Sequence, residues 1–208
     1  MTIDERDGIE ALLAIGDPPG PPELGEAHES VTAALRDFLD AFAGARTDAA
    51  DARRLEETLA GWTRALRERA TDERGRLWGH WLAHPGRGQA LVPRVYDQVR
   101  DGYATSAKVV FGRFHVGENM AVHGGAISLL FDDLLGWLGH DAELPPSRTA
   151  YLKTNFRSVT PVGVELEVRG RIDRIAGRKR YLAGDLSHGD TLCADVEGLW
   201  VELRPGQQ

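Results

Sequence analysis

Val122-His123-Gly124-Gly125-Ala126-Ile127-Ser128-Leu129-Leu130-Phe131-Asp132-Asp133, continued by Leu134-Leu135-Gly136-Trp137-Leu138-Gly139, is the stretch on which the fold turns. From Gly124 to Gly139 it is strongly helical and apolar on nearly every side. A helix of that kind cannot face water along one flank and must be wrapped by other elements. Within it, Asp132 is out of place, because aspartate forms helices poorly and is costly to bury without a partner.

The segments around this helix supply the wrapping. Ala104 to Phe114 reads as a strand before it, and Thr149 to Val159 as a strand after it. Val164 to Ile172 alternates, with Val164, Leu166, Val168 and Ile172 on one side and Glu165, Glu167, Arg169 and Arg171 on the other. Arg180 to Ser187 and Thr191 to Leu203 follow as two strands meeting at the turn His188-Gly189-Asp190. Strands joined by short turns form an antiparallel sheet, and one helix must cover one of its faces. The expected fold is α+β: a five- or six-stranded antiparallel sheet wrapped around one long central helix.

Farther out, the N-terminal third has another texture. Gly16 to Pro22 is a breaker. Ala27 to Phe42 carries apolar residues at helical spacing, and a second helix is expected from Asp48 to Ala70 with Leu55, Leu59, Trp62 and Leu66 on one stripe. Neither stripe holds a chemical motif. The division that follows is an N-terminal helical extension over 1–76, the sheet-and-helix domain over 77–204 and a tail over 205–208.

Composition narrows the class. The chain has 208 residues, 42% hydrophobic and 27% charged, and a net charge of -7, so no global basic field recruits nucleic acid or an anionic membrane. No apolar run approaches the roughly 20 residues that cross a bilayer. The acidic and basic residues within Met1 to Gly16 rule out a signal-peptide core there, and a cytoplasmic location is expected. Cys193 is the one cysteine, which excludes an intramolecular disulfide and a thiolate zinc site; it reads as packing. His80, His84, His115, His140 and His188 are scattered without metal-ligand spacing.

The chemistry concentrates on the central helix. Two glycines at its start leave backbone N–H groups open, and the helix dipole adds partial positive charge, a combination able to hold a developing oxyanion. The neighbours of Asp132 one and two turns away are Gly125, Ser128, Gly136 and Gly139. The acid thus lies in a trough of small residues able to admit a narrow substrate arm. A helix packed closely on the sheet, with Asp132 hydrogen-bonded for structural reasons, fits the same pattern, and the residues alone leave both readings open. Ser128 lies one turn before Asp132 but has no histidine placed as its base, so a serine nucleophile is disfavoured. The turn from Arg174 to Arg180 concentrates positive charge, as a solvated hairpin or as a contact for phosphates.

The His-Gly-Gly triplet followed by an acid nine residues after the histidine resembles the hotdog-fold thioesterases of the phenylacetate-pathway PaaI type. The stretch from Arg148 to Gly163 also resembles that family's strand after the helix, which often reads T-x-x-L-x-x-x-(Y/F)-x-x-P. The likeness covers about Leu77 to Leu203. It implies a hotdog fold and hydrolysis of an acyl-CoA, or acyl-carrier-protein, thioester. By position, Asp132 matches the family's catalytic carboxylate, as nucleophile or as general base, and Gly124 the residue whose N–H polarises the thioester carbonyl. Thr149 lies near a hydroxyl residue that assists in some members. His123 heads the motif in a role that looks structural, and Asn119 is the nearest match to an amide that holds the water or carbonyl. Asp133 is the competing acid, but spacing favours Asp132, on the small-residue face.

Such hydrolysis needs no metal or organic cofactor, with CoA as part of the substrate. The resemblance also implies a homodimer, or a dimer of dimers, with shared active sites. Gly124 and Asp132 agree with this, because eight residues of helix separate their backbones by about 12 Å. Two rivals remain: a hotdog hydratase, for which Glu118, Asn119 and His123 make a poor acid–histidine dyad, and a non-catalytic acyl-CoA sensor.

Overall fold

The computed structural model describes residues 21–72, 75–79, 85–139 and 144–204. The charged segment from Met1 to Gly16, His80, His84, His140 and the 205–208 tail lie outside these residues.

Among the described residues, three α-helices and six strands follow in chain order. Helices α1 (Pro22–Gly44) and α2 (Ala49–Arg67) form the extension. Then come β1 (Val95–Asp101), β2 (Ala104–Val110), α3 (Gly124–Gly139), β3 (Ser147–Phe156), β4 (Glu165–Ala176), β5 (Lys179–His188) and β6 (Thr191–Glu202). The six strands make one sheet in the order β1-β2-β4-β5-β6-β3, with every neighbouring pair antiparallel. This is the α+β arrangement the sequence predicts, with the bounds of α3 as expected.

Helix α3 buries Ile127, Leu130, Phe131, Leu134, Leu135 and Leu138 against the inner face of the sheet, where Val109, Leu166, Val168, Leu182, Leu186 and Trp200 meet them. Burying each such side chain contributes about 1.5–3 kcal/mol. The close approach depends on Gly170 and Gly184, cross-strand partners at the middle of β4 and β5. A Cβ on Gly170 would stand 2.8 Å from Leu135 Cδ2, and one on Gly184 2.6 Å from the Arg169 carbonyl oxygen. The helix packs where these two side chains are missing.

Several boundaries move for local reasons. Helix α1 begins at Pro22, inside the expected breaker, because proline is well tolerated at the first helical position. Asp48 lies outside α2 as its N-cap, accepting from the N–H groups of Ala50 and Asp51 at 2.8 Å each. Strand β1 carries no clean alternation in the sequence; its register shifts after Tyr96, where Asp97 has φ +50°. Strand β2 stops at Val110, and the chain turns through a short 3-10 segment, Arg113–His115.

The basic turn between β4 and β5 is not one solvated cluster. Arg174 lies over the Tyr181 ring at 3.9 Å, and Arg178 donates to the Glu202 carbonyl. Arg180 is buried and donates to the Gly139 carbonyl at 2.6 Å, to Ser147 Oγ and to the Pro145 carbonyl. Arg100 adds a bond to the Leu138 carbonyl at 3.4 Å. Two arginines therefore meet the C-terminal end of α3, where the helix dipole favours positive charge.

Candidate active site

The N-terminal end of α3 is built differently. His123 is the capping residue: its Nδ1 accepts from the Gly125 N–H at 2.9 Å, so Nδ1 carries no proton there. Its carbonyl accepts from Ala126 at 2.9 Å and Ile127 at 3.4 Å. Backbone bonds from Val122 to the Thr160 carbonyl and from His123 to the His115 carbonyl hold the approach to the helix. Among the described residues the Gly124 N–H makes no hydrogen bond, leaving a donor at the positive end of the dipole. The Phe156 ring at the end of β3 stands close to Gly124, so that a Cβ there would lie 2.8 Å from Phe156 Cζ.

Along the helix, the small-residue face runs beside β3 rather than into the core. Gly125 and Asp132 are exposed, and Ser128 and Gly136 are half-buried. Two hydroxyl contacts join this face to β3. Thr149 Oγ1 donates to Asp132 Oδ1 at 2.9 Å, and Ser128 Oγ lies 3.0 Å from Thr154 Oγ1. The strand register shifts between Thr149 and Tyr151, a bulge beside the residue that meets the acid. Gly139, the last of the small residues, is buried at the helix end instead.

Asp133 points elsewhere, into an ion pair with Arg87 Nη2, and its side chain is only 16% exposed. Arg87 sits in the Pro85–Gly88 turn between two glycines, with no motif around it. Burial lowers the Arg87 pKa, and the nearby Asp132 charge opposes that shift. The arginine therefore feels both acids. The two neighbouring carboxylates have unlike surroundings: Asp133 is neutralised in a half-closed niche, while Asp132 lies open with one hydroxyl donor.

Asn119 stands apart from this group. It lies with Met120 at the tip of the Gly117–Ala121 turn, both at positive φ (+53° and +58°) and both exposed. Within one chain, then, the fold joins Asp132 to Thr149 and Ser128 to Thr154, with Gly136 on the same helix face. It places His123, Gly124 and Gly125 at the helix start, and leaves Asn119 on a separate turn. Phe156, Thr154 and Arg87 join the neighbourhood; Phe156 and Thr154 lie within the stretch from Arg148 to Gly163, and Arg87 carries no local signal. Among the described residues no three His, Cys, Asp or Glu side chains gather as a metal site, and no helix is long and apolar enough to cross a membrane.

No family model matches the chain. A solved structure of the thioesterase superfamily protein RHA08564 superposes on 89% of this chain and 97% of its own, with a TM-score of 0.71 and 30% identity. That coverage is more than residues 77–204 can supply, so the likeness extends into the N-terminal helices. Two curated proteins match shorter stretches. One, from Pseudomonas aeruginosa and provisionally named an esterase, is 32% identical over 88 residues, 41% of this chain and 66% of that protein. The other, a Bos taurus acyl-coenzyme A thioesterase, is 30% identical over 86 residues, 40% of this chain and 35% of that one. The matched stretch thus spans just under two thirds of the first relative and about a third of the second. With the sheet wrapped on α3 and the likeness to RHA08564 running nearly end to end, the chain belongs to the hotdog-fold thioesterase superfamily.

Proposed function

We propose that this protein hydrolyses an acyl-CoA thioester, or the same thioester on an acyl-carrier protein, with Asp132 as the reactive carboxylate. The observation that carries the reading is the contrast between the paired acids. Arg87 occupies Asp133, whereas Asp132 lies exposed among small residues with Thr149 donating to one oxygen. The named bovine relative, an acyl-coenzyme A thioesterase, supports the substrate class.

The Gly124 N–H, at the positive end of α3, is the donor suited to the carbonyl oxygen as it takes on negative charge. As general base, Asp132 removes a proton from water while the water oxygen attacks the carbonyl carbon. The tetrahedral intermediate then expels the thiolate, which leaves as the thiol after taking up a proton, and the acid departs. As nucleophile, the carboxylate attacks the carbonyl carbon, the C–S bond breaks to release the thiolate, and water then cleaves the resulting anhydride into the free acid and the regenerated Asp132 carboxylate. Thr149 holds the carboxylate in either case. No step in this scheme calls on a metal or organic cofactor. CoA esters are made and used inside cells, so a cytoplasmic setting belongs to the same proposal.

One chain cannot complete this site alone. The backbones of Gly124 and Asp132 lie about 12 Å apart along α3, beyond the reach of an aspartate side chain. A two-fold axis that sets two α3 helices antiparallel brings Gly124 of one protomer opposite Asp132 of its partner. Strand β3, at one edge of the sheet, offers an unpaired side through which the sheet can continue into that partner.

Free CoA release measured across short, long and aromatic acyl-CoAs tests the reaction. Asp132→Asn keeps the size and removes the charge, and turnover should fall by roughly 100-fold or more. Asp133→Asn should stay within a few-fold of the parent. A folded Asp132→Asn protein with near-normal turnover would sink the assignment. The shared site is tested by refolding Asp132→Asn and Gly124→Val chains together. Mixed dimers hold one site with both lesions and one intact site, so activity should return; demonstrated subunit exchange without activity overturns the geometry.

A further inference from the structure

Helix α1 reaches the site through the loop at 85–92. Its side chains claim three of that loop's carbonyl oxygens. His28 Nε2 lies 2.8 Å from the Gly88 oxygen, and Thr32 Oγ1, which donates to the His28 carbonyl at 2.8 Å, stands 3.4 Å from the same Gly88 oxygen. Arg36 Nη2 donates to the Gln89 oxygen and, at 2.9 Å, to the Val92 oxygen. Within the loop, Ala90 and Val92 are buried, and Arg87 itself adopts φ +53°, a conformation a non-glycine residue holds only when its surroundings impose it. The held residue is the one that pairs with Asp133.

We propose that α1 is a positioning element of the active site: by clamping the 85–92 loop it keeps Arg87 on Asp133, so that Asp132 alone presents a negative charge to the reaction. Arg36 and Arg87 are thus positioning residues. This rests on the reading of Asp132 as the reactive carboxylate and gives the extension a role in catalysis.

The physical case lies in what happens without the clamp. Asp133 is mostly buried, and a buried carboxylate without its cation must either take up a proton or stand as an unpaired charge. It is also the residue next to Asp132, so its uncompensated charge would oppose an oxyanion forming nearby and invite the two acids to share a proton. Arg87 removes both effects. Its Nε is buried with no hydrogen-bond partner among the described residues, so the guanidinium makes a one-sided contact that leans on the loop to hold its place.

The test is an epistasis experiment on CoA release from whichever acyl-CoA the full chain turns over fastest. Arg87→Met should lower kcat by about 10-fold or more, and Arg36→Met by less, while Asp133→Asn alone stays within about 3-fold of the parent. Adding Asp133→Asn to either arginine variant should restore kcat to near that of Asp133→Asn alone, because the unpaired charge is gone. A loop held only for folding, or an arginine that contacts substrate, leaves the double variants as slow as the single arginine variants, and that result overturns the proposal. Hydrogen exchange adds a readout independent of turnover: Arg36→Met should raise exchange at 86–92 while α3 stays protected, and unchanged exchange there also overturns it. Should Arg87→Met fail to fold, the Arg36→Met pair carries the same test. Asp132→Asn measured alongside separates the two ideas. If it stays active, the catalytic reading fails and this proposal with it; if it is inactive and Asp133→Asn rescues nothing, only the clamp is wrong.

Discussion

Helix α3 meets the sheet through six buried apolar side chains, whereas α1 buries only Gly25 and Thr32 and meets its neighbours through Arg36, His28, Thr32 and Asp40. Apolar packing is non-directional and responds to lost volume. A polar clamp is directional, and it responds to charge and pH. The polar clamp lies against His115, which is buried with both ring nitrogens unpartnered among the described residues and with Arg36 and Asp40 close by. The region that forms the core and the region that positions the loop beside the acids therefore fail by different routes.

The largest effect should come from the core. Leu135→Ala removes a fully buried side chain lying over Gly170, and the fold should lose about 2–5 kcal/mol, measured by denaturant unfolding. A loss below about 1 kcal/mol would mean that α3 can settle into the gap.

The polar region should reveal itself in acid. Burial, and then the Arg36 charge, lower the His115 pKa from 6.5 to about 4. The unfolded chain binds the proton more readily than the folded one across that interval. Stability from this residue is therefore complete above about pH 6.5 and is lost as pH falls toward 4, by at most about 3 kcal/mol. His115→Phe keeps an aromatic ring beside Phe114 and removes the titration. Its unfolding free energy should change less between pH 6.5 and 4 than the parent's, and equal slopes would remove His115 from the account.

The smallest effect belongs to α2, which buries no residue and leaves Trp62 65% and Leu66 62% exposed. Leu66→Gln should change stability by no more than about 0.5 kcal/mol. A larger loss, dependent on protein concentration, would show that this stripe is covered by another chain in solution.

The reading of α3 succeeded because it was local. A run apolar on all sides, broken by glycines and one acid on a common face, specifies its own helix and requires a sheet around it. The strands from Val164 onward were legible through alternation and short turns. Strand β1 was not, because Asp97, Gln98, Arg100 and Asp101 interrupt its alternation and a bulge shifts its register. The buried part played by Arg180 was hidden for another reason: nothing beside it in the chain shows that a helix end lies against it.

What the sequence determined by itself was the central helix, the antiparallel sheet around it, and the trough in which Asp132 lies, since periodicity and residue size act between near neighbours. Only the tertiary structure decided how the two acids divide. Arg87 and Asp133 are far apart in the chain, in a glycine-flanked turn and an apolar helix with no shared pattern, and they meet because α1 holds the loop against the body of the fold. Such a meeting depends on long-range packing, which no local spacing of residues encodes.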